Sequence, residues 1–306
     1  MCALLSGSSC APSTETPKSA GTLADSFNTE RAWKDLEHLV AMGPRQAGTA
    51  GAEKARVFME AQLTAAGLKP VREAFQQQTP AGPLDFANVY ADLAPRDKAA
   101  TAPWILFCAH YDTKRLPGTF VGANDGGSGT AVLLELARAL AAAGPREFGY
   151  RFLFLDGEES VNLEWVDPDN RYGSRHHAAK LKNSGQAAKF RACVLLDMVG
   201  DKNLNIEQEG FSDPRLHAVF AEAARELKLD QYVSAKRGAE IIDDHLIFMA
   251  AGIRSVDLID FDYGPGNSYW HTLNDKLEHC SAQSLGIVGR VVLAAVPSLE
   301  ARLALR

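Results

Sequence analysis

Short apolar segments alternate with longer amphipathic segments through most of the chain after residue 103. Four of the apolar segments have the length and the aliphatic and aromatic content of strands. They cover residues 104–109, 150–155, 191–199 and 253–259. Strands that are buried on both faces are apolar throughout, so this pattern predicts parallel strands in the centre of a sheet.

The segments between and after these strands repeat their apolar positions at helical spacing. Helices are predicted over residues 126–144, 172–181, 212–229, 243–252 and 281–305. Strands that alternate with helices are typical of a sheet that carries helices on both faces.

Two helices and two strands are predicted before this alternation begins. The helices cover residues 26–45 and 49–67, and each is ended by a glycine. The strands lie near residues 71–75 and 86–93. No repeat and no linker appears after residue 25. We therefore expect a single catalytic α/β domain over 26–306, with a mostly parallel central sheet flanked by helices on both faces.

Residues 1–25 have a different composition, which is small, polar and proline-containing. Such a segment predicts disorder. It also contains LLSGSSC, which is similar to the end of an export signal with Cys10 as a lipidated residue, although the charged and fully apolar regions of such a signal are missing. A disordered leader and the remnant of an export signal both stay open, and we favour export to the periplasm, the cell surface or the medium.

Composition excludes several classes of protein. The formal charge of −6, without basic runs, argues against nucleic acid as the main partner. No run of about 18 uncharged apolar residues is present, so we expect no transmembrane segment. The five cysteines form no CxxC pair, which leaves a thiolate zinc site without support. Cys108 and Cys193 lie in strand segments and are interpreted as core residues.

Acidic residues and histidines follow the predicted strands at the points where the strands end. In an open α/β sheet, ligands bind outside the carboxyl ends of the strands. The residues at these ends, together with Asp125 before a helix, are His110, Asp112, Asp156, Glu158, Glu159, Asp197, Asp260, Asp262 and His271. They are far apart in sequence, but a parallel sheet would bring them to one edge.

Carboxylates that converge in a buried site need protons or a counter-charge. Asp, Glu and His are ligands that suit Zn²⁺, and three protein ligands with an open fourth position are typical of catalytic zinc. The chain has no HExxH motif, so a zinc helix of that kind is excluded. Any one of these residues could instead be a solvated loop residue without a function. Because the set follows four separate strands, we favour a metal or catalytic site.

Six ordered blocks between about residues 105 and 280 resemble the zinc-dependent aminopeptidase superfamily and, within it, the glutaminyl cyclases. The blocks are HYDTK, VGANDGGSGTAVLLELARAL, FLFLDGEES with EW and YGSRHHAAKL, LLDMVGD, DDHLIFMAAGI and YWHTLNDKLEH. Lys114, Trp165, Asp243 and Trp270 resemble the cyclases rather than the aminopeptidases. Two features differ from the animal cyclases. Ile242 stands where a glutamine is common in those enzymes, and the stretch between Glu159 and Trp165 is one residue longer than theirs.

The resemblance implies a role for each matching residue. Asp125, Glu159 and His271 would bind one zinc ion. Glu158 would move the proton, within an acidic network that includes Asp197 and Asp243. Trp165 and Trp270 would line the substrate pocket. His110, like Asp197, matches a position that binds a second metal in the aminopeptidases, and Asp112 would steady His110.

The implied reaction is the conversion of an N-terminal glutamine of a peptide or protein to pyroglutamate with release of ammonia. Such an enzyme is a glutaminyl-peptide cyclotransferase, an acyltransferase. The alternative is an aminopeptidase with two zinc ions, and a third possibility is a binding protein that has kept the fold. The physiological substrates and the oligomeric state stay open.

Six further residues are interpreted as outside the chemistry. His176 and His177 lie on a predicted helix and are expected to be solvated. Asp260 and Asp262 lie in an acidic loop and are expected to face solvent. His245 is expected to support the site or cap a helix rather than bind metal, and Asp156 is expected to orient a ligand.

Overall fold

A six-stranded mixed sheet forms the centre of the computed structural model, which describes residues 22–97, 99 and 101–304. Its strands are β1 (Pro70–Thr79), β2 (Gly82–Leu93), β3 (Trp104–His110), β4 (Gly149–Leu155), β5 (Phe190–Asp197) and β8 (Ser255–Ile259). The order across the sheet is β1-β2-β4-β3-β5-β8. Strands β6 (Ile206–Gln208) and β7 (Val233–Arg237) form a separate two-stranded sheet.

The seven α-helices of the described residues pack on both faces of the sheet. They are α1 (Thr29–Ala41), α2 (Ala50–Ala65), α3 (Gly129–Ala143), α4 (Tyr172–Asn183), α5 (Pro214–Glu226), α6 (Asp244–Ala250) and α7 (Ala282–Ala304). Short 3₁₀ helices cover Leu23–Ser26, Ala187–Lys189, Pro265–Asn267 and Leu277–His279. The predicted fold class is confirmed: an α/β domain with helices on both faces.

The two faces of β3 show why its sequence is apolar throughout. Ile105 and Phe107 belong to a core with residues of α1, α2, α3, α5 and α7. Leu106 and Cys108 point to the other face, where they pack with residues of α4 and α6. Cys108 and Cys193 are buried free thiols, as expected for core residues.

Strands β4, β3, β5 and β8 are parallel, whereas β1 and β2 form an antiparallel hairpin that adds to β4. The register brings the strand ends level. His110 at the end of β3 is paired with Leu155 at the end of β4, and Asp197 at the end of β5 is paired with Ile259 at the end of β8. The residues that follow these strands therefore meet at one edge of the sheet.

The predicted leader lies mostly outside the described residues, since residues 1–21 and with them Cys10 are not described. Its expected boundary at residue 25 is wrong, because Leu23–Ser26 is a 3₁₀ helix that holds Ala24 buried. Helix α7 is long and apolar enough to cross a membrane by composition alone. However, 67% of its most apolar window is buried against the rest of the domain, as in a core helix.

Candidate active site

Asp125, Glu159 and His271 come together at the carboxyl edge of the sheet. The Nε2 atom of His271 lies 3.0 Å from Oε1 of Glu159 and 3.4 Å from Oδ2 of Asp125. One ligand atom from each of the three residues lies within 4.8 Å of the others. The three side chains that were predicted as zinc ligands therefore form one group.

The oxygens of this group fit a cation. Within the described part of the chain, Asp125 Oδ2 and both carboxylate oxygens of Glu159 are buried without a hydrogen-bond donor. A buried carboxylate without a partner is costly, and metal coordination is one way to offset that cost. Two carboxylates and one imidazole are a donor set that zinc accepts in catalytic sites.

A second group shares Asp125 and includes two more of the predicted residues. Nε2 of His110 lies 3.1 Å from Oδ1 of Asp197 and 3.2 Å from Oδ1 of Asp125. These ligand atoms also satisfy the distances of a metal group. Burial lowers the pKa of His110, but Asp197 and the other carboxylates outweigh burial and raise it well above its usual range. The same three side chains could therefore be joined either by a proton on His110 or by a second metal ion.

The local backbone at Asp125 and Glu158 is irregular and depends on glycine. Gly126 has a φ of +81°, and a Cβ atom there would lie 2.3 Å from the carbonyl oxygen of Asp112. Gly157 has a φ of +67°, and a Cβ atom would lie 2.5 Å from the ring of Phe86. Only glycine fits both the positive φ and the close approach at these positions.

Asp112 holds the two adjacent glutamates in place. Its carboxylate accepts hydrogen bonds from the backbone N–H groups of Glu158 at 3.1 Å and of Glu159 at 3.2 Å. It also lies 3.5 Å from Nδ1 of His110, where it was expected. Asp112 belongs to neither metal group. The predicted contact is present, and the larger role of Asp112 is to fix the turn after β4.

Glu158 and Asp243 form an acidic network with Asp197 deep in the site. Burial raises the pKa of Glu158 well above its usual range, and the nearby Asp243 raises it further. Burial likewise raises the pKa of Asp243, followed by the charge of Asp197. Both shifts favour the protonated forms of Glu158 and Asp243.

A cavity of about 300 Å³ opens above these acids. Its inner end is lined by Asp125, Glu158, Asp197, Asp243 and His271, and its sides by Trp165, Glu240, Ile241, Ile242, Ile259, Phe261 and Trp270. The ring of Trp270 stacks on that of His271 at 4.0 Å between centroids, and the guanidinium of Arg171 lies 5.1 Å from the centre of the Trp165 ring. Both tryptophans therefore line the same cavity as the acids and His271.

Three of the expectations for residues outside the chemistry are wrong. Asp260 is 1% exposed, because its carboxylate accepts hydrogen bonds from the backbone N–H groups of Asn205 and Asp262. His177 is also buried, and its Nδ1 lies 2.7 Å from Glu73. Asp156 binds Arg56 and the backbone of Ala87 rather than orienting a ligand.

The remaining expectations agree with the structure. Asp262 is exposed, and His176 is half-buried against the ring of Phe75. His245 lies outside both metal groups and is buried 3.2 Å from Oε2 of Glu209. It supports the loop before Asp243 rather than a metal.

The sequence analysis missed several buried charged residues that touch the site. Lys114, which was noted only for its resemblance, is fully buried, with its Nζ on Ser160 and 3.5 Å from Glu159. Asp257 lies in the middle of β8, and burial followed by the charge of Asp243 raises its pKa well above its usual range. Asp275 and Arg45 contact the backbone around Asp125. The one indication in the sequence that Asp257 is a buried acid was its position within an apolar strand segment.

Comparisons with known proteins agree with this geometry. The sequence profile described as peptidase family M28 matches residues 88–296. The chain is 30% identical over 260 residues to a glutaminyl-peptide cyclotransferase-like protein of Bos taurus. That match covers 76% of this chain and 66% of the relative, so the chain spans just under two thirds of the relative's length.

Solved structures match over nearly the whole chain. The glutaminyl cyclase of an Acidobacteriales bacterium has a TM-score of 0.84 and 34% identity, covering 96% of this chain and all of that one. The glutaminyl cyclase of Porphyromonas gingivalis has a TM-score of 0.81 and 29% identity, covering 90% of this chain and 99% of that one.

Proposed function

Since this chain belongs to peptidase family M28, we propose that it is the cyclase variant of that fold, a glutaminyl-peptide cyclotransferase. It would convert the N-terminal glutamine of a peptide or protein to pyroglutamate and release ammonia. The observation that carries this proposal is one pocket that joins a three-ligand metal group to a protonated acidic network. The relatives named as cyclases support it.

Asp125, Glu159 and His271 would hold one zinc ion, because Oδ2 of Asp125 and both carboxylate oxygens of Glu159 are buried without a hydrogen bond among the described residues. Bound zinc acts as a Lewis acid that polarises a carbonyl oxygen and stabilises the negative charge that develops on it. The side-chain amide of the substrate glutamine is the carbonyl that this site would receive.

Glu158 would carry the proton that the reaction has to move. The substrate α-amine attacks the side-chain amide carbon, so the amine must lose a proton and the departing ammonia must gain one. A carboxyl group between the two nitrogens can do both. Asp243 would share a proton with Glu158, so that these two groups titrate together rather than independently.

The aromatic walls would exclude water from the reaction. The nucleophile is part of the substrate, so water is only a competitor for the polarised amide. Trp270 lies against His271, and Trp165 lines the same cavity as Glu158. A substrate glutamine in this cavity would replace water beside these rings.

The proposal is tested by incubating zinc-loaded protein with a glutamine-initiated peptide and measuring ammonia. We expect one ammonia for each peptide consumed. The same peptide with an N-terminal acetyl group is the control and should release none, because its nitrogen cannot attack. Absence of ammonia from the free peptide would refute the proposal.

A two-zinc aminopeptidase is the competing function, and the group formed by His110, Asp125 and Asp197 favours it. Elemental analysis separates the two, because the cyclase predicts about one zinc per chain and the aminopeptidase about two. Release of free glutamine with two bound zinc ions would establish the aminopeptidase instead.

A further inference from the structure

The backbone around Asp125 is buried but does not have the hydrogen bonds of a regular helix. Residues Asn124–Ser128 form a distorted turn in which Asp125 has a ψ of 108°. Buried backbone groups outside regular structure need other partners. The residues that supply these partners decide where the Asp125 carboxylate points.

Arg45 supplies the donors for the segment before Asp125. Its side chain is 0% exposed and donates to the carbonyl oxygens of Val121 at 2.7 Å and Gly122 at 2.8 Å. It also donates to the carbonyl oxygen of Tyr111 at 2.8 Å, directly after His110. One guanidinium thus joins the end of β3 to the loop that carries Asp125.

Asp275 supplies the acceptors for Asp125 itself. Its carboxylate accepts hydrogen bonds from the backbone N–H groups of Asn124 at 2.7 Å and Asp125 at 3.0 Å. The hydroxyl of Tyr263 donates to it at 2.9 Å. Asp275 lies four residues after His271, so the loop that carries one zinc ligand also holds the backbone of another.

We propose that Arg45 and Asp275 form a clamp that positions Asp125 for zinc. The clamp holds backbone oxygens before Asp125 from one side and the N–H of Asp125 from the other. The inference rests on the proposed zinc site, but it assigns a role to two residues that never touch the metal or the substrate. Both are positioning residues.

The chemistry of the two side chains makes the clamp specific. A guanidinium has five donors in a fixed plane, whereas an ammonium on a flexible stem has three and cannot span the same carbonyl groups. An asparagine at position 275 would turn an NH₂ group towards a backbone N–H. Loss of a partner that orients a metal ligand typically weakens metal binding about 10- to 100-fold.

The test compares zinc dissociation constants, measured by chelator competition, for the wild-type protein and the variants Arg45→Lys and Asp275→Asn. Arg56→Lys is the matched control, because Arg56 is also buried but binds Glu53, Tyr111 and Asp156 rather than the Asp125 loop. Tyr263→Phe, which removes one hydrogen bond from Asp275, is a milder variant that keeps the clamp residues themselves.

We expect the dissociation constant to rise about 10- to 100-fold in Arg45→Lys and Asp275→Asn, and to rise less in Tyr263→Phe. In Arg56→Lys it should stay at the wild-type value even if the melting temperature falls. Turnover of zinc-loaded variants should show a lower kcat with little change in KM, because the clamp does not contact substrate.

If the wild-type protein binds zinc and the folded variants bind it with the same affinity, the clamp is refuted and the proposed function is unaffected. If Arg45→Lys does not fold, Asp275→Asn and Tyr263→Phe decide the question in the same way. A wild-type protein that binds no zinc would overturn the proposed zinc site and the clamp together.

Discussion

Glu158 and Glu159 are adjacent in sequence but have different surroundings. Glu159 points to Asp125 and His271, with the ammonium of Lys114 at 3.5 Å. Glu158 points to the acids of the pocket, of which Asp243 has the strongest effect on its pKa. Neighbouring residues after a buried strand face different directions, so one of the pair can bind a metal while the other exchanges protons.

The Glu158→Gln substitution tests this division of roles. The amide keeps the shape of the side chain but cannot accept a proton from the substrate amine. We expect turnover to fall about 10²- to 10⁴-fold, the usual contribution of a general acid–base group, with zinc content unchanged. Glu164→Gln, an exposed glutamate in the following loop, is the control and should retain full activity. Full activity in Glu158→Gln would show that another group moves the proton.

The site could be predicted from the sequence at those positions where the chemistry allows few types of side chain. The strand-end pattern placed Asp125, Glu159 and His271 in a larger set of acids and histidines at the sheet edge, and the family resemblance singled them out as metal ligands. The burial of Asp260 and His177 could not be predicted, because it depends on distant donors and acceptors, namely Asn205 and Glu73. Arg45 was missed for the same reason: its partners are carbonyl groups, which every residue has.

The segment from β6 to α6 shows how a small element supports the site. Glu209 follows β6 and accepts hydrogen bonds from the backbone N–H groups of Phe211, Ser212 and Ile241. Ile241 lines the pocket two residues before Asp243. Glu209 therefore links the loop that carries Asp243 to the two-stranded sheet by hydrogen bonds.

The pH dependence of stability tests the contribution of the Glu209 hydrogen bonds. Burial raises the pKa of Glu209, but hydrogen bonds from His245 and the backbone outweigh burial and lower it to about 2. A carboxyl group with a lowered pKa stabilises the fold above its unfolded value of about 4.3, and this contribution is lost as the pH falls towards 2. We expect Glu209→Gln to cost about 1.5–3 kcal/mol of unfolding free energy at pH 7.

The difference between wild type and Glu209→Gln should shrink as denaturant unfolding is repeated from pH 5 down to pH 2. Glu207→Gln is the matched control, because Glu207 lies in the same segment but its carboxylate pairs with the exposed Lys236. A difference for Glu209→Gln that is independent of pH would contradict the assigned role.

Elements were predictable where they are long and apolar, and less so elsewhere. The parallel strands were found because both faces are buried. The hairpin of β1 and β2 is longer than predicted. Most of β1 is not buried, so its polar positions do not form an apolar run that the sequence pattern could show. Strands β6 and β7 have three and five residues, which is too short for a periodic pattern.

At the scale of the whole molecule, the topology converts scattered residues into one site. Four parallel strands end at the same edge, and the loops after them supply ligands, acids and pocket walls. The three proposed zinc ligands belong to three separate loops around Asp125, Glu159 and His271. Their assembly requires the complete fold, so metal binding should be coupled to global stability.

Thermal unfolding measures this coupling. A ligand that binds only the folded state at 100 times its dissociation constant stabilises the fold by about 2.7 kcal/mol. We expect zinc to raise the melting temperature of the metal-free protein and a chelator to reverse the change. His271→Ala should fold without this response. An equal zinc response in His271→Ala would show that the ion binds elsewhere.

Ring closure by one zinc site and Glu158 gives a different product from hydrolysis of a peptide bond. Mass spectrometry of a glutamine-initiated peptide after incubation with the zinc-loaded protein distinguishes the two reactions. We expect a single product that has the full number of residues and has lost one ammonia. A shortened peptide together with free glutamine would refute ring closure.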